Sequence, residues 1–178
     1  MPNVAQQISG HNKTILHPEK SLKLAGCNCR DGVDNCVMDG HCLTKNVVYE
    51  ATIDYEQTNP NTHRLEEKKK SYHGLCSTSF KDRYGGHRGS FVHPHRDKET
   101  TLASQVWKIK RSASNRPYSI KWKIAKLAPA YSRESRKCQL CLTEKTFILY
   151  KDPKTSLNKR TELHGHCFHY GKHRLSNW

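Results

Sequence analysis

Apolar positions along the chain recur with two different periods, and the switching between them sets the expected order of elements. Val47, Tyr49, Ala51 and Ile53 fall on alternate residues, which predicts a strand with one face in a core. The polar stretch from Gln57 to Lys70, containing Asn59-Pro60-Asn61, breaks that rhythm and reads as a long loop and a charged approach to the next strand. Ser71-Tyr72-His73-Gly74-Leu75 is expected to pair back. Ser77-Thr78-Ser79 then offers N-caps to a helix over Phe80–Arg88, in which Phe80, Arg83, Tyr84 and His87 share a face. Gly85-Gly86 lies inside it, and each interior glycine costs a helix about 1 kcal/mol relative to alanine, so tertiary contacts must hold this element or it ends early. A second short helix is expected over Thr101–Lys110, burying Leu102, Val106 and Ile109. Ile120-Lys121-Trp122-Lys123-Ile124 alternates again as a third strand, and Cys138–Lys151 carries Leu140, Phe147, Ile148 and Tyr150 at mixed helical spacing.

The pattern predicts one α/β domain of the α+β kind, a small antiparallel three-stranded sheet flanked by helices. Residues 1–26 lack a regular pattern and read as an arm. A cysteine-rich segment occupies 27–45, and the main domain runs over 46–178.

Composition changes the picture in two ways. The 178 residues include 31 Lys+Arg against 16 Asp+Glu, a formal net charge of +15. No apolar run approaches the roughly 18–20 residues of a membrane span. Low hydrophobicity with eight cysteines points to a thin core that needs a staple, and metal supplies one where thiols stay reduced. The amino-terminal residues show neither a basic start nor an apolar stretch, so an intracellular setting is expected.

Cys27, Cys29, Cys36 and Cys42 form C-x-C-x6-C-x5-C. Four thiolates within so short a turn-rich segment suit one tetrahedral zinc, with His41 an available substitute ligand and two local disulfides the competing arrangement. Cys138-x2-Cys141 can bite a second zinc together with Cys167 and His169, although His164 and His166 compete for the fourth position and two helix-packed thiols would serve equally as core. Cys76 has no partner in sequence and reads as a plain small residue.

Basic residues recur in every segment, as in Lys68-Lys69-Lys70, Lys121-x-Lys123-x2-Lys126 and Arg133-x2-Arg136-Lys137. Distributed charge of this kind suits phosphate contacts, which supply affinity without sequence information. A nucleic acid is the expected partner; a membrane or a small-molecule substrate is not.

Several ordered motifs go further. Cys27-x-Cys29-Arg30, Cys42-Leu43-Thr44-Lys45-Asn46-Val47-Val48-Tyr49, Tyr72-His73-Gly74-Leu75, Phe80-Lys81-x-Arg83-Tyr84-x2-His87, Ile120-Lys121-Trp122, Cys138-x2-Cys141-Leu142-x-Glu144-Lys145 and Leu157-Asn158-Lys159-Arg160-x-Glu162-Leu163 follow one another along most of the chain. In that order they resemble the GIY-YIG endonucleases, specifically the endonuclease domain of Penelope-like retroelements. Val47-Val48-Tyr49 stands where the family has Gly-Ile-Tyr, and Tyr72-His73-Gly74 where it has Tyr-Ile-Gly.

The resemblance implies a GIY-YIG-like fold preceded by a zinc knuckle and a metal-dependent hydrolase that nicks DNA. In the resembled elements the nick exposes a 3′-hydroxyl for a reverse transcriptase encoded by the same element, which makes that enzyme a possible partner and the nucleus the expected location. Carried over residue by residue, Tyr49 and Tyr72 are the motif tyrosines, Arg83 the helix arginine, His87 its neighbour one turn on, Glu144 the carboxylate for one catalytic Mg²⁺, and Asn158 the late polar residue. Tyr49 is expected to take the proton of the attacking water, helped by His87 and Tyr72. A phenol needs a nearby cation to do so near neutrality, and Arg83 and the metal are the candidates. A zinc at Cys138 and Cys141 would anchor the turn that carries Glu144. Two rivals stand beside this reading: a zinc-dependent nucleic-acid-binding module without catalysis, and a decayed endonuclease whose Gly85-Gly86 has spoiled the helix bearing Arg83 and His87.

Overall fold

The computed structural model describes residues 23–30, 32–112, 117–132, 137–164, 167 and 169. Most of the expected arm, His166 and the basic pair Arg133 and Arg136 lie outside the described residues. Three strands form an antiparallel sheet in the order β2-β1-β3, with β1 spanning Lys45–Thr58, β2 Leu65–Ser79 and β3 Tyr118–Leu127. Register fixes which side chains share a face, because neighbouring residues of a strand point to opposite sides. Tyr49 sits between Gly74 and Ile124, and Ala51 between Tyr72 and Trp122. On the reverse face Glu50 lies between His73 and Lys123, and Thr52 between Ser71 and Lys121.

The stretch Gln57 to Lys70 is not a long loop. Strand pairing continues through Tyr55 with Lys68, Gln57 with Glu66 and Thr58 with Leu65, leaving only residues 59–64 to turn. The turn is closed by the Asn59 side chain, whose Oδ1 accepts from the Asn61 amide at 2.9 Å, and by His63 in a left-handed conformation at φ 54°. Both faces of this part of β2 are largely solvated, so hydrophobic alternation, the signal used to find strands, is absent while backbone pairing is intact.

Helix α1 spans Phe80–Val92 and α2 spans Thr101–Lys110, and both lie on the Tyr49 face of the sheet. Ser79 caps α1: its Oγ accepts from the Asp82 amide at 3.2 Å and donates to Asp82 Oδ2 at 2.6 Å. The helix continues unbroken through Gly85-Gly86 because its other face is anchored. Phe80, His87 and Ser90 are buried, Trp107 Nε1 donates to the Ser90 carbonyl at 2.8 Å, and Lys110 Nζ donates to the Phe91 carbonyl at 2.6 Å. In α2 the buried residues include Leu102, Val106 and Ile109, as the periodicity predicts.

Helix α3, Gln139–Tyr150, covers the other face over Val48, with Leu140 buried beneath it. Ahead of it β4, Tyr131–Ser132, and β5, Lys137–Cys138, form a small second ladder. After α3 the chain returns along the free edge of β2, where the Ser71 amide donates to the Thr155 carbonyl at 2.8 Å and the Leu157 amide to the Ser71 carbonyl at 2.7 Å. The cysteine-rich segment joins the main core: Cys36, Met38 and Cys42 are buried in one cluster with Tyr49, Phe80 and Trp122. No helix among the described residues is long and apolar enough to cross a membrane.

Candidate active site and metal centres

Tyr49 and His87 meet at the centre of the α1–sheet interface, with the tyrosine hydroxyl 2.7 Å from His87 Nε2. Arg83, one turn earlier on α1, donates from Nε to the same hydroxyl at 3.1 Å. Burial first, then the Arg83 charge, lowers the His87 imidazole to about 3, so it is neutral and its Nε2 can accept the phenolic proton. Tyr72 is bonded to the same guanidinium and lies 6.4 Å from Tyr49 between ring centroids. Gly74, opposite Tyr49, leaves the room for this packing: a Cβ there would lie 2.5 Å from the Tyr49 hydroxyl oxygen and 2.9 Å from Tyr72 Cε1.

The tyrosines differ from the expectation in one respect. Arg83 does pull both phenols down, yet burial outweighs it, so Tyr49 is raised well above the ordinary range and Tyr72 to about 12. Tyr49 is 0% exposed and Tyr72 7%. The outward groups are Arg83 and Glu144, both half-buried.

Glu144, on α3, joins this cluster from the far side of β2. Its carboxyl is lifted to about 7 by burial and then by the neighbouring Glu162, against the pull of Arg83, Lys145 and the Leu75 backbone. Both carboxylates also raise the Tyr72 hydroxyl, adding to burial and opposing Arg83. Asn158 does not point into the cluster. Its Oδ1 accepts from the His73 amide at 2.7 Å and its Nδ2 donates to the His73 carbonyl at 2.8 Å, so it completes the edge of β2, and Nδ2 also donates to Glu162 Oε2 at 2.9 Å. Glu162 is the member of the cluster that motif reading left without a role. A desolvated carboxylate crowded by a second one offers hard oxygen to a divalent cation and would be relieved by it, so the residues present fit Mg²⁺.

Both cysteine groups are assembled. The ligand atoms of Cys27, Cys29, Cys36 and Cys42 lie within 4.8 Å of one another, as do those of Cys138, Cys141, Cys167 and His169. Tetrahedral zinc with Zn–S bonds of about 2.3 Å needs sulfurs about 3.8 Å apart, and Cys29–Cys42 and Cys42–Cys27 are at 3.8 and 3.6 Å. In the second group His169 Nδ1 stands 3.6, 3.2 and 3.5 Å from the sulfurs of Cys138, Cys141 and Cys167. Either group could hold zinc. All eight cysteines are free thiols, so the local disulfides are not formed, and Cys76 is buried outside both groups. His41 is turned away, its Nδ1 3.2 Å from the Ala25 carbonyl. Backbone groups of Met38, Gly40 and Cys42 are hydrogen-bonded to the Cys36 sulfur and, against burial, bring that thiol down to about 6, which suits a thiolate ligand.

The reverse face of the sheet holds an ionic centre that sequence reasoning missed. Glu50 is buried on the central strand with Lys123 Nζ at 2.7 Å, Lys151 Nζ at 2.9 Å and His73 Nε2 at 3.8 Å. His73 stacks on Phe147 of α3 at 5.2 Å, and burial holds its imidazole below the ordinary range.

The fold and sites define an α+β protein with a three-stranded antiparallel sheet, three helices among the described residues and two cysteine-rich groups able to hold metal. No family model matches the chain, and no curated protein or solved structure is significantly similar to it. The GIY-YIG resemblance thus rests on its motif residues alone.

Proposed function

We propose that the chain is a metal-dependent DNA endonuclease that hydrolyses phosphodiester bonds, in the manner of a GIY-YIG nuclease that nicks DNA for retroelement integration. The observation that carries this reading is the meeting of Tyr49, Tyr72, Glu144 and the neutral His87 about one guanidinium, Arg83, although they come from four separate elements. Arg83 presents a planar fork to a phosphoryl group and neutralises charge on its oxygens, which a lysine matches less well. Tyr72 would take a proton from water as its phenolate, the form that the Arg83 guanidinium favours against burial. Tyr49 and the neutral His87 lie beside it and position Arg83 through the shared hydroxyl. Glu144 would hold Mg²⁺ with Glu162 alongside, and Asn158 positions Glu162. Mg²⁺, when bound, supplies charge neutralisation at the phosphoryl oxygens and acidifies a coordinated water. Zinc at the two cysteine groups is structural in this reading, and DNA, held through the surplus of basic charge, is the partner in the nucleus.

The full burial of Tyr49 and His87 favours one competing reading, a zinc-dependent nucleic-acid-binding module in which they are packing residues. Helix α1 is continuous through Gly85-Gly86, and nicking by the wild-type protein would dismiss the decayed-endonuclease reading. A plasmid-nicking assay of wild type beside Glu144→Gln decides. Mg²⁺-dependent nicking that disappears in the variant is expected; DNA binding without nicking in either protein would overturn the enzyme and leave the module.

A further inference from the structure

We propose that the reverse face of the sheet carries a second phosphate-binding site, distinct from the Arg83 cluster, which grips the nucleic-acid backbone away from the bond that is cut. A cavity of about 240 Å³ opens there between β2, the end of α3 and the returning chain. Its walls are cationic and hydroxylic, with Lys69 and Lys151 standing around Thr52, Ser71 and Thr155, while Lys70, opposite Ile53, belongs to the Tyr49 face. These are the side-chain types that contact phosphate oxygens without reading bases.

The Ser71 hydroxyl points independently to a ligand. Ser71 is 4% exposed and lines this cavity, yet its Oγ has no hydrogen-bond partner among the described residues. An unpaired buried hydroxyl costs a fold about 1–3 kcal/mol, so a site that keeps one needs a reason. Register places Ser71 beside Thr52, on the face opposite Tyr49 and Tyr72.

Glu50 also lines the cavity, and its negative charge opposes an anion. Two lysines hold that carboxylate, Lys123 at 2.7 Å and Lys151 at 2.9 Å, so the centre as a whole is cationic before Lys69 is counted. Lys69 forms no ion pair among the described residues. Lys121, across from Thr52, is 79% exposed with only a 4.0 Å contact to Asp54. Strand rise of about 3.3 Å per residue puts Lys69 about 10 Å along β2 from Tyr72, about three nucleotides along a duplex axis. The cavity faces away from Arg83 across the sheet, so it would hold a stretch of nucleic-acid backbone other than the one seated at Arg83.

The choice of nucleic acid as occupant rests on the proposed function; the phosphate chemistry does not. Binding of a fluorescent DNA duplex to the full chain without added Mg²⁺, measured by anisotropy, separates the two, because no cleavage is needed. Ser71→Ala should weaken duplex binding about threefold or more while leaving Tm equal or higher, since it removes an unpaired buried hydroxyl. Lys69→Ala/Lys121→Ala, both on the reverse face, should weaken it about tenfold and reduce the salt slope by about 2. The control Lys98→Ala/Lys108→Ala, equal in charge and remote from the cavity, should change affinity less than about twofold. The site is overturned if Ser71→Ala binds like wild type, or if the control pair loses as much as the Lys69/Lys121 pair. Ser71-dependent binding of inorganic pyrophosphate but not of duplex would overturn the nucleic-acid occupant. Absence of nicking with these binding effects intact would instead count against the nuclease reading alone.

Discussion

The Tyr49 hydroxyl bridges two residues of one helix face, receiving the Arg83 Nε hydrogen bond at 3.1 Å while lying 2.7 Å from His87 Nε2. The bridge fixes the guanidinium, because a hydroxyl locked by histidine cannot follow a rotating arginine. Tyr49→Phe should therefore cost about 1–3 kcal/mol, leaving buried Nε2 and Nε unpaired. Arg83→Lys keeps the charge but loses the fork. It should leave the fold nearly intact and lower nicking about a hundredfold or more. Urea unfolding and plasmid nicking, run on both variants, separate the positioning role from the phosphate-binding role.

Gly74 is required by what stands opposite it. A methyl group there would meet the Tyr49 oxygen at 2.5 Å and its Cζ at 2.7 Å, and Tyr49 is walled in by Phe80, Trp122 and His87. Gly74→Ala should destabilise by about 1–3 kcal/mol through overpacking and should displace the hydroxyl from Arg83. Adding Tyr49→Phe should recover part of the stability, since the closest clashing atom goes, but none of the activity. A denaturant series on the two single variants and the double variant measures this coupling.

Legibility in the sequence followed burial. Val47 to Ile53 and Leu102 to Ile109 announce themselves because each puts apolar residues on one dry face. The hairpin beyond Tyr55 does not, because Glu66, Glu67, Lys68 and Lys69 are charged on both wet faces while their backbones pair. The metal ligands were readable from spacing because cysteine chemistry leaves few alternatives, and among the described residues His169 stands with the second group. Asn158 was readable as a late polar residue but not as a backbone clamp on His73, since that depends on where the chain returns after α3. Glu50 was hidden for a related reason. A carboxylate on a strand reads as solvent-facing until a helix end delivers Lys151 to it.

Glu50 sets a pH dependence. Burial raises its carboxyl, but the hydrogen bonds and charges of Lys123 and Lys151 win, bringing it from 4.5 to about 2. A depressed folded-state value means that the stabilisation is complete above the unfolded value near 4.5 and is lost as pH falls through about 2. Wild type should lose up to about 3 kcal/mol over that window from this group. Glu50→Gln should flatten this part of the profile while lowering stability at neutral pH, because two lysines then face an uncharged amide. Lys151→Ala should shift the acid limb upward in pH. Chemical denaturation at a series of pH values between 2 and 6 reads all three.

Zinc content tests the two cysteine groups separately, because they brace different parts of the fold. Cys36 and Cys42 are buried in the same cluster as Tyr49 and Phe80, and the Lys81 amide donates to the Cys42 carbonyl at 2.7 Å, so the first group supports the start of α1. Cys138 caps α3, accepting from the Cys141 amide at 3.4 Å, while Cys167 and His169 bring the far end of the chain to it. The second group therefore holds the helix carrying Glu144 against the segment carrying Asn158 and Glu162. Purified protein should contain two zinc ions per chain by elemental analysis, and Cys36→Ser or Cys167→Ser should each reduce that to one. Loss of the first ion should remove about 5 kcal/mol and about 10–20 °C of Tm, since folding and metal binding are coupled there. Cys167→Ser should keep the strand signal in circular dichroism and the first zinc, yet lose nicking through misplacement of Glu144. Retention of both folding and nicking after zinc is stripped and Mg²⁺ restored would show that neither group is a structural metal site.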